Sequence, residues 1–264
     1  MKIAAICCTY KRPKLLAEAV ESFLRQDYPA AKREMIILDD ASQYENQVGD
    51  GWRIVSSPVR FRTLGEKRNA SAALVSPDVD AYCVWDDDDI YLPWHMSAAA
   101  AALADSDYTI PSVVLIDKRN HLERKANQGL FHGAWSFRRE AFDKVCGYPF
   151  IQSGQDQGLL KRFKAANLRR ADPIQFDARP SYVYRWFTAH SQHISAMGAD
   201  GYERLGRQML PTTATNPKTR TGLAFRFAIK SRTVLTDSYL SNADRKEKLT
   251  PSIDWFTWYN NVLH

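Results

Sequence analysis

The sequence predicts an α/β fold in which helices flank a mostly parallel sheet, and three observations support this prediction. Residues 2–8 form an almost continuous apolar run, which is typical of a strand covered on both faces. Apolar residues then recur at helical spacing in residues 15–24, and Pro13 suits the first turn of that helix. A second apolar run follows at residues 34–38, and strands that alternate with helices indicate parallel β-α-β units.

The later elements are predicted from the same two patterns. Apolar runs bounded by turn residues predict strands at 52–56, 81–85, 108–116, 122–125, 134–137 and 181–186. Helical spacing of apolar residues predicts helices at 65–75, 93–103, 139–145 and 155–166. We expect the strands at 108–116 and 122–125 to pair with each other.

The character of the chain changes after about residue 197. Glycines interrupt any periodic pattern there, and residues 211–221 are rich in Thr, Asn and Pro, which is typical of a loop or linker. Helical segments are expected within 223–240, and the aromatic stretch 253–259 is expected to dock on the core or on a partner. We therefore divide the 264 residues into a main domain, 1–197, and a mainly helical C-terminal extension, 198–264.

Composition places the chain among globular proteins, with 45% hydrophobic and 25% charged residues. No apolar stretch approaches the roughly 20 residues that a membrane span needs. The N-terminus is interpreted as the first strand, not as a secretory signal, so we expect a cytoplasmic protein. The four cysteines form no CxxC pair, which argues against a zinc site. Cys7, Cys8 and Cys83 lie in apolar, strand-like runs, which favours small buried thiols over a disulfide framework.

The formal net charge is +6, and the isoelectric point is about 9.1. Such a balance suits an anionic partner such as a nucleotide, an anionic lipid or a nucleic acid. The basic residues are scattered, however, and form no dense arm or helix-long stripe.

Four consecutive aspartates, Asp86 to Asp89, directly follow the predicted strand at 81–85. Neighbouring carboxylates repel one another, so an ordered protein tolerates them best where a cation or solvent relieves the charge. Ligands of open α/β sheets bind at the carboxyl ends of strands. The pattern therefore favours a hard divalent cation whose shell is completed by substrate phosphates, with a solvated acidic loop as the structural alternative.

Two further polar patches follow predicted strands, residues 9–12 and the pair Asp39 and Asp40. Basic residues, Lys67 and Arg68, lie between them and the acidic run. Each patch alone has a structural interpretation, because turns favour aspartate pairs and helices carry solvated basic residues. Their recurrence at successive strand ends predicts a single site at one edge of the sheet.

With these motifs the chain resembles the family 2 glycosyltransferases, which have the GT-A fold with a Rossmann-like, mostly parallel sheet. The matching segments are residues 8–13 (CTYKRP), 37–42 (ILDDAS), 65–70 (GEKRNA), 86–93 (DDDDIYLP), 133–138 (GAWSFR) and 154–156 (GQD). The resemblance covers roughly residues 1–195. It implies a nucleotide-binding half, about 1–92, and an acceptor half, about 93–197.

The resemblance also implies roles for individual residues. Donor contacts are implied for Thr9, Arg12, Asp39, Asp40, Arg68, Asp86 and Asp87. A divalent cation, Mn²⁺ or Mg²⁺, is implied at Asp88 with His190, and His193 stands where the family has Asn, so either histidine could meet the metal. Asp156 is implied as the general base. The chain departs from the family pattern at Gln155, where an acidic residue is usual, and at Ala41, where glycine is common.

The function that the resemblance implies is inverting, metal-dependent transfer of a sugar from a nucleoside diphosphate sugar to a hydroxyl of a glycan or other acceptor. UDP is favoured because a carboxylate suits the N–H group of uracil, with GDP and dTDP left open. One alternative is a nucleotidyltransferase of related fold, although residues 7–13 lack the glycines of its usual phosphate loop. The others are a non-catalytic nucleic-acid or glycan binder, and a transferase whose acceptor is nucleic acid.

Overall fold

Parallel strands and helices alternate through the first half of the chain, which confirms the predicted α/β class. The computed structural model describes residues 1–117 and 121–185. The strands are β1 Ile3–Thr9, β2 Arg33–Asp39, β3 Gln47–Val48, β4 Trp52–Ser56, β5 Ala81–Asp86, β6 Ile90–Tyr91, β7 Tyr108–Thr109, β8 Val113–Asp117, β9 Leu122–Ala126, β10 Ser136–Arg138, β11 Arg170–Ala171 and β12 Tyr182–Arg185. The helices are α1 Pro13–Leu24, α2 Leu64–Ala73, α3 His95–Ala102, α4 Arg139–Lys144 and α5 Gln155–Ala165.

The large sheet has the strand order β11-β7-β10-β5-β1-β2-β4-β3. Its centre is parallel, because β1 pairs in parallel with β2 and β5, and β2 pairs in parallel with β4. Antiparallel pairs join β10 to β5 and β7, and β3 to β4. A smaller sheet, β6-β12-β8-β9, stands beside it and includes the expected pair of β8 with β9.

Hydrophobic cores cover both faces of the large sheet. Ile3, Ala5 and Cys7 of β1 pack in one cluster with residues of α1 and α3, whereas Ala4 and Ile6 pack in the other with residues of α2, α4 and α5. Alternate side chains of a strand point to opposite faces, so a strand buried on both sides has the continuous apolar run seen in β1.

Some predicted elements differ from the structure. The strand predicted at 108–116 is two strands in different sheets, β7 and β8, because Pro111 lies between them and cannot donate to a strand ladder. The strand predicted at 134–137 is a 3₁₀ turn, His132–Ala134, followed by β10. The two-residue strands β3, β6 and β11 were not predicted, because so short a segment carries no periodicity. The C-terminal extension, 198–264, lies outside the described residues.

The four cysteines are all free thiols. Burial raises the pKa of Cys8 to about 11 and that of Cys83 to about 12, so these thiols stay protonated. No helix within the described ranges is both long and apolar enough to cross a membrane.

Candidate active site

The carboxyl ends of three adjacent parallel strands, β1, β2 and β5, form one edge of the large sheet. In the strand register Thr9 lies beside Asp39, and Cys8 lies beside Asp86. The polar residues that follow these strands are thereby brought together, although they are far apart in sequence. This is the edge at which open α/β sheets bind their ligands.

Guanidinium groups pair with the first three aspartates of the acidic run. Arg68 on α2 places Nη2 2.7 Å from Oδ1 of Asp86. Arg12 places a single atom, Nη1, 2.9 Å from Oδ1 of Asp87 and 2.9 Å from Oδ2 of Asp88. Burial lowers the pKa of Arg12, but the charges of Asp87 and Asp88 outweigh burial and raise it. The chain itself therefore supplies cations that relieve the repulsion within the run.

The fourth aspartate, Asp89, is fully buried and has a structural role. It accepts hydrogen bonds from the Tyr182 hydroxyl and from the backbone N–H of Arg185, the latter at 3.0 Å. Arg185 donates from Nε to the carbonyl oxygen of Asp88 at 2.6 Å and forms an ion pair with Glu18 of α1. These contacts join β12 to the loop that carries the acidic run and hold its backbone in place.

Asp39 organises the turn after β2. One carboxylate oxygen accepts from the N–H of Ala41 at 2.8 Å, and the other accepts from the N–H of Gln43 at 2.8 Å and the hydroxyl of Ser56 at 2.9 Å. Asp39 is also fully buried. Its carboxylate therefore holds the turn together, and the donor contact that the resemblance implied for Asp39 stays a prediction.

Asp40 forms a buried ion pair with Lys67 just after the end of β2. Lys67 Nζ lies 2.5 Å from Oδ1 of Asp40 and 2.5 Å from the carbonyl oxygen of Thr9. The other Asp40 oxygen accepts from the N–H of Phe61 at 3.2 Å. Lys67 thus connects the ends of β1 and β2 through α2. The structural alternative, in which Lys67 and Arg68 are solvated, is wrong, since they are only 5% and 7% exposed.

Tyr10 and two cations form a surface next to Thr9. Tyr10 and Lys11 belong to the predicted polar patch 9–12, whereas Arg60 was not predicted to take part. The guanidinium carbon of Arg60 lies 3.5 Å from the centre of the Tyr10 ring, and Lys11 Nζ lies 5.4 Å from it. Lys11 has a φ of 55°, so the chain turns sharply between β1 and α1. The turn places the Tyr10 ring and the positive charges of Lys11 and Arg60 next to the end of β1.

Asp156 lies in the first turn of α5 and is partly exposed. The helix is preceded by Gly154, whose φ of 74° is readily adopted only by glycine. Gln157 donates from Nε2 to the carbonyl oxygen of Gly129 at 2.7 Å, which ties the start of α5 to the loop before β10.

Tyr148 contacts His132 and Arg68 next to the acidic run. Its hydroxyl lies 3.0 Å from Nε2 of His132, and its ring centre lies 6.0 Å from the guanidinium carbon of Arg68. Burial raises the pKa of Tyr148, Arg68 opposes this, and the charges of Asp86 and Asp156 both raise it further. Arg68, which pairs with Asp86, therefore lies against Tyr148, and the role of Asp156 as the base stays a prediction.

His132 and Gly133 complete this side of the site. Burial, with a smaller contribution from Arg68, lowers the pKa of His132 well below its ordinary value, so the imidazole is neutral. A Cβ atom on Gly133 would lie 2.9 Å from Oδ2 of Asp86 and 2.8 Å from the Tyr182 hydroxyl. The sequence analysis identified Gly133 as the start of a matching segment. His132 and Tyr148 belong to no motif or periodic pattern, so they were not predicted to lie at the site.

The acidic run fits a divalent cation shared with a diphosphate. In the described part of the chain, no group of three or more His, Cys, Asp or Glu side chains is placed to hold a metal ion. Oδ2 of Asp87 is, however, buried and has no hydrogen-bond partner among the described residues. Carboxylate oxygens suit Mg²⁺ and Mn²⁺, and one or two of them suffice when phosphates complete the shell. His190 and His193 lie outside the described residues.

Comparisons with known proteins identify the family and the fold. The sequence model of the family described as "Glycosyl transferase family 2" matches residues 4–162. The structure of S. aureus TarS 1–349 in complex with UDP-GlcNAc is similar, with a TM-score of 0.57, 18% identity, and coverage of 100% of this chain and 80% of that one.

The mannosyltransferase PcManGT from Pyrobaculum calidifontis, in complex with GDP-Man and Mn²⁺, has a TM-score of 0.52, 14% identity, and coverage of 100% and 81%. These likenesses confirm the GT-A fold. No curated protein matches the chain.

Proposed function

Because the chain belongs to glycosyl transferase family 2 and is a glycosyltransferase, we propose that it moves a sugar from a nucleoside diphosphate sugar, with UDP favoured, to an acceptor hydroxyl. The proposal includes inversion at the anomeric carbon and a divalent cation. Family membership decides against the nucleotidyltransferase and the non-catalytic binder. The observation that carries the proposal is that the carboxyl ends of β1, β2 and β5 meet at one sheet edge, where Arg12 and Arg68 pair with the acidic run.

The nucleotide would bind at the ends of β1 and β2. Asp40 is oriented by Lys67, and its oxygen lone pairs can accept the N–H of uracil. Tyr10 offers an aromatic face beside Thr9, and Arg60 adds positive charge there. The UDP-GlcNAc bound to TarS supports the choice of UDP, and the GDP-Man bound to PcManGT makes GDP the competitor to test.

The diphosphate would lie over the acidic run. Arg68 is held by Asp86 and brings a fixed positive charge to the leaving group. Asp87 and Asp88 would hold Mn²⁺ or Mg²⁺, which when bound supplies charge that neutralises the leaving diphosphate. The neutral Gln155 beside the base adds no negative charge to this region.

Asp156 would take the proton of the acceptor hydroxyl as the oxygen attacks the anomeric carbon. A single base on the side opposite the leaving group gives in-line displacement, and hence inversion. The contact of Gln157 with Gly129 fixes the helix turn that carries this carboxylate. The acceptor would then bind next to Asp156 at the start of α5.

A donor screen tests the proposal. Nucleotide release from UDP-, GDP- and dTDP-sugars would be measured with Mn²⁺ and with Mg²⁺, and we expect turnover of a UDP-sugar. The Asp88→Asn variant should lose this turnover, whereas Asp105→Asn, which changes an exposed aspartate after α3, should keep it. Full turnover by Asp88→Asn would refute the assigned metal site, and turnover of GDP-sugars alone would refute the nucleotide preference.

A further inference from the structure

Arg12 occupies the part of the acidic run that the divalent cation is expected to use. Its Nη1 atom lies 2.9 Å from carboxylate oxygens of both Asp87 and Asp88. A cation held by these two aspartates and a diphosphate would need the same oxygens or their neighbours. Two positive groups cannot share so small a space at low energetic cost, because like charges this close repel strongly.

Arg12 also has the properties of a side chain that can move. Its side chain is 21% exposed, compared with 8% for Arg68, which pairs with Asp86 in the same run. Only Nη1 is engaged by the described residues, so Nε and Nη2 remain as donors for another acceptor. Arg12 stands just before α1, next to Lys11 with its φ of 55°, and its side chain makes no capping hydrogen bond. No other described contact of the side chain would be lost on movement.

From this geometry we infer that Arg12 is a displaceable counter-ion of the metal site, an inference that rests on the proposed function. Before the donor binds, the guanidinium neutralises Asp87 and Asp88. On binding of the nucleotide with a divalent cation, Arg12 would leave these carboxylates, and its guanidinium would then donate to the diphosphate. The same residue thus opposes binding of the metal alone and favours binding of the metal with its nucleotide.

Replacement of Arg12 is expected to change two binding affinities in opposite directions. Mn²⁺ binding to the full chain without nucleotide is measured by calorimetry for the wild type and for Arg12→Gln. We expect the variant to bind Mn²⁺ about tenfold more tightly or better, since no charged hydrogen bonds must be broken. UDP binding in saturating Mn²⁺ is then expected to weaken about tenfold in the variant, because a donor to the diphosphate is lost. A merely structural role for Arg12 would weaken both affinities.

Two further variants provide a control and a substitute for Arg12→Gln. Arg179→Gln removes an arginine whose Nη2 lies 2.7 Å from Asp177 in an exposed ion pair, and it should change neither affinity. If Arg12→Gln does not fold, Arg12→Lys replaces it, since a lysine holds two carboxylates less well and should shift both affinities in the same directions by a smaller factor.

Unchanged or weaker Mn²⁺ binding by Arg12→Gln, with normal binding by the wild type, would overturn the inference and leave the proposed function intact. Failure of every variant and of the wild type to bind Mn²⁺, with or without UDP, would overturn the metal-dependent function together with this inference.

Discussion

Replacement of Lys67 by methionine is expected to destabilise the protein severely. Lys67 is 5% exposed, and its Nζ contacts both Oδ1 of Asp40 and the carbonyl oxygen of Thr9 at 2.5 Å. Methionine has a similar length but no charge. Asp40 would stay buried, at 6% exposure, with the N–H of Phe61 as its remaining donor among the described residues.

The magnitude follows from the burial of both partners. Loss of one partner of a buried ion pair costs about 3–5 kcal/mol, because the other charge is left uncompensated. Both side chains are less than a tenth exposed, so solvent screening reduces this cost little. In a domain of this size, each kcal/mol lowers the melting temperature by about 2–4 °C, so a decrease of about 6–20 °C is expected.

Urea and thermal unfolding, followed by tryptophan fluorescence, would measure the effect. The double variant Lys67→Met/Asp40→Asn should be less destabilised than the sum of the two single variants, because it removes both charges. Lys2→Met serves as the control, since its nearer partner Asp78 is 68% exposed and Glu34 lies 3.8 Å from Nζ, and it should change the unfolding midpoint little. A loss of less than about 1 kcal/mol in Lys67→Met, or strict additivity in the double variant, would refute the reasoning.

Three other outcomes are expected. Asp156→Asn should lower the transfer rate about 10²- to 10⁴-fold and leave UDP affinity unchanged, and full transfer by this variant would exclude Asp156 as the base. Gly133→Ala should cost about 1–3 kcal/mol in urea unfolding, because its Cβ would lie 2.8 Å from the Tyr182 hydroxyl, and wild-type stability would show that the contact is easily relieved. Burial lowers the pKa of His95 from 6.5 to about 3. The unfolded chain therefore binds a proton at His95 that the folded chain does not bind, and the stability of the fold decreases as the pH drops below 6.5. Between pH 7.5 and 5.5 this residue should cost the wild type about 1.4 kcal/mol, and His95→Asn should show a correspondingly flatter pH dependence of unfolding.

The sequence alone was sufficient for the fold class and for the strand edge at which the polar residues gather. Apolar runs and helical spacing are local patterns, and they located β1, β2, β4 and β5 to within a residue or so. Because parallel strands share one direction, the polar residues that follow them had to meet at one edge. The order of six short motifs along the chain was sufficient to identify the family.

Tertiary structure decided which groups pair at that edge. Arg12 lies 75 positions before Asp87, and Lys67 lies 27 positions after Asp40, so no local pattern could reveal either pair. The adjacent residues Asp39 and Asp40 look equivalent in the sequence, yet one holds the turn and the other meets Lys67. Periodicity records which side of an element is buried, whereas the partner of a buried charge depends on how distant elements pack, and only the folded chain specifies that.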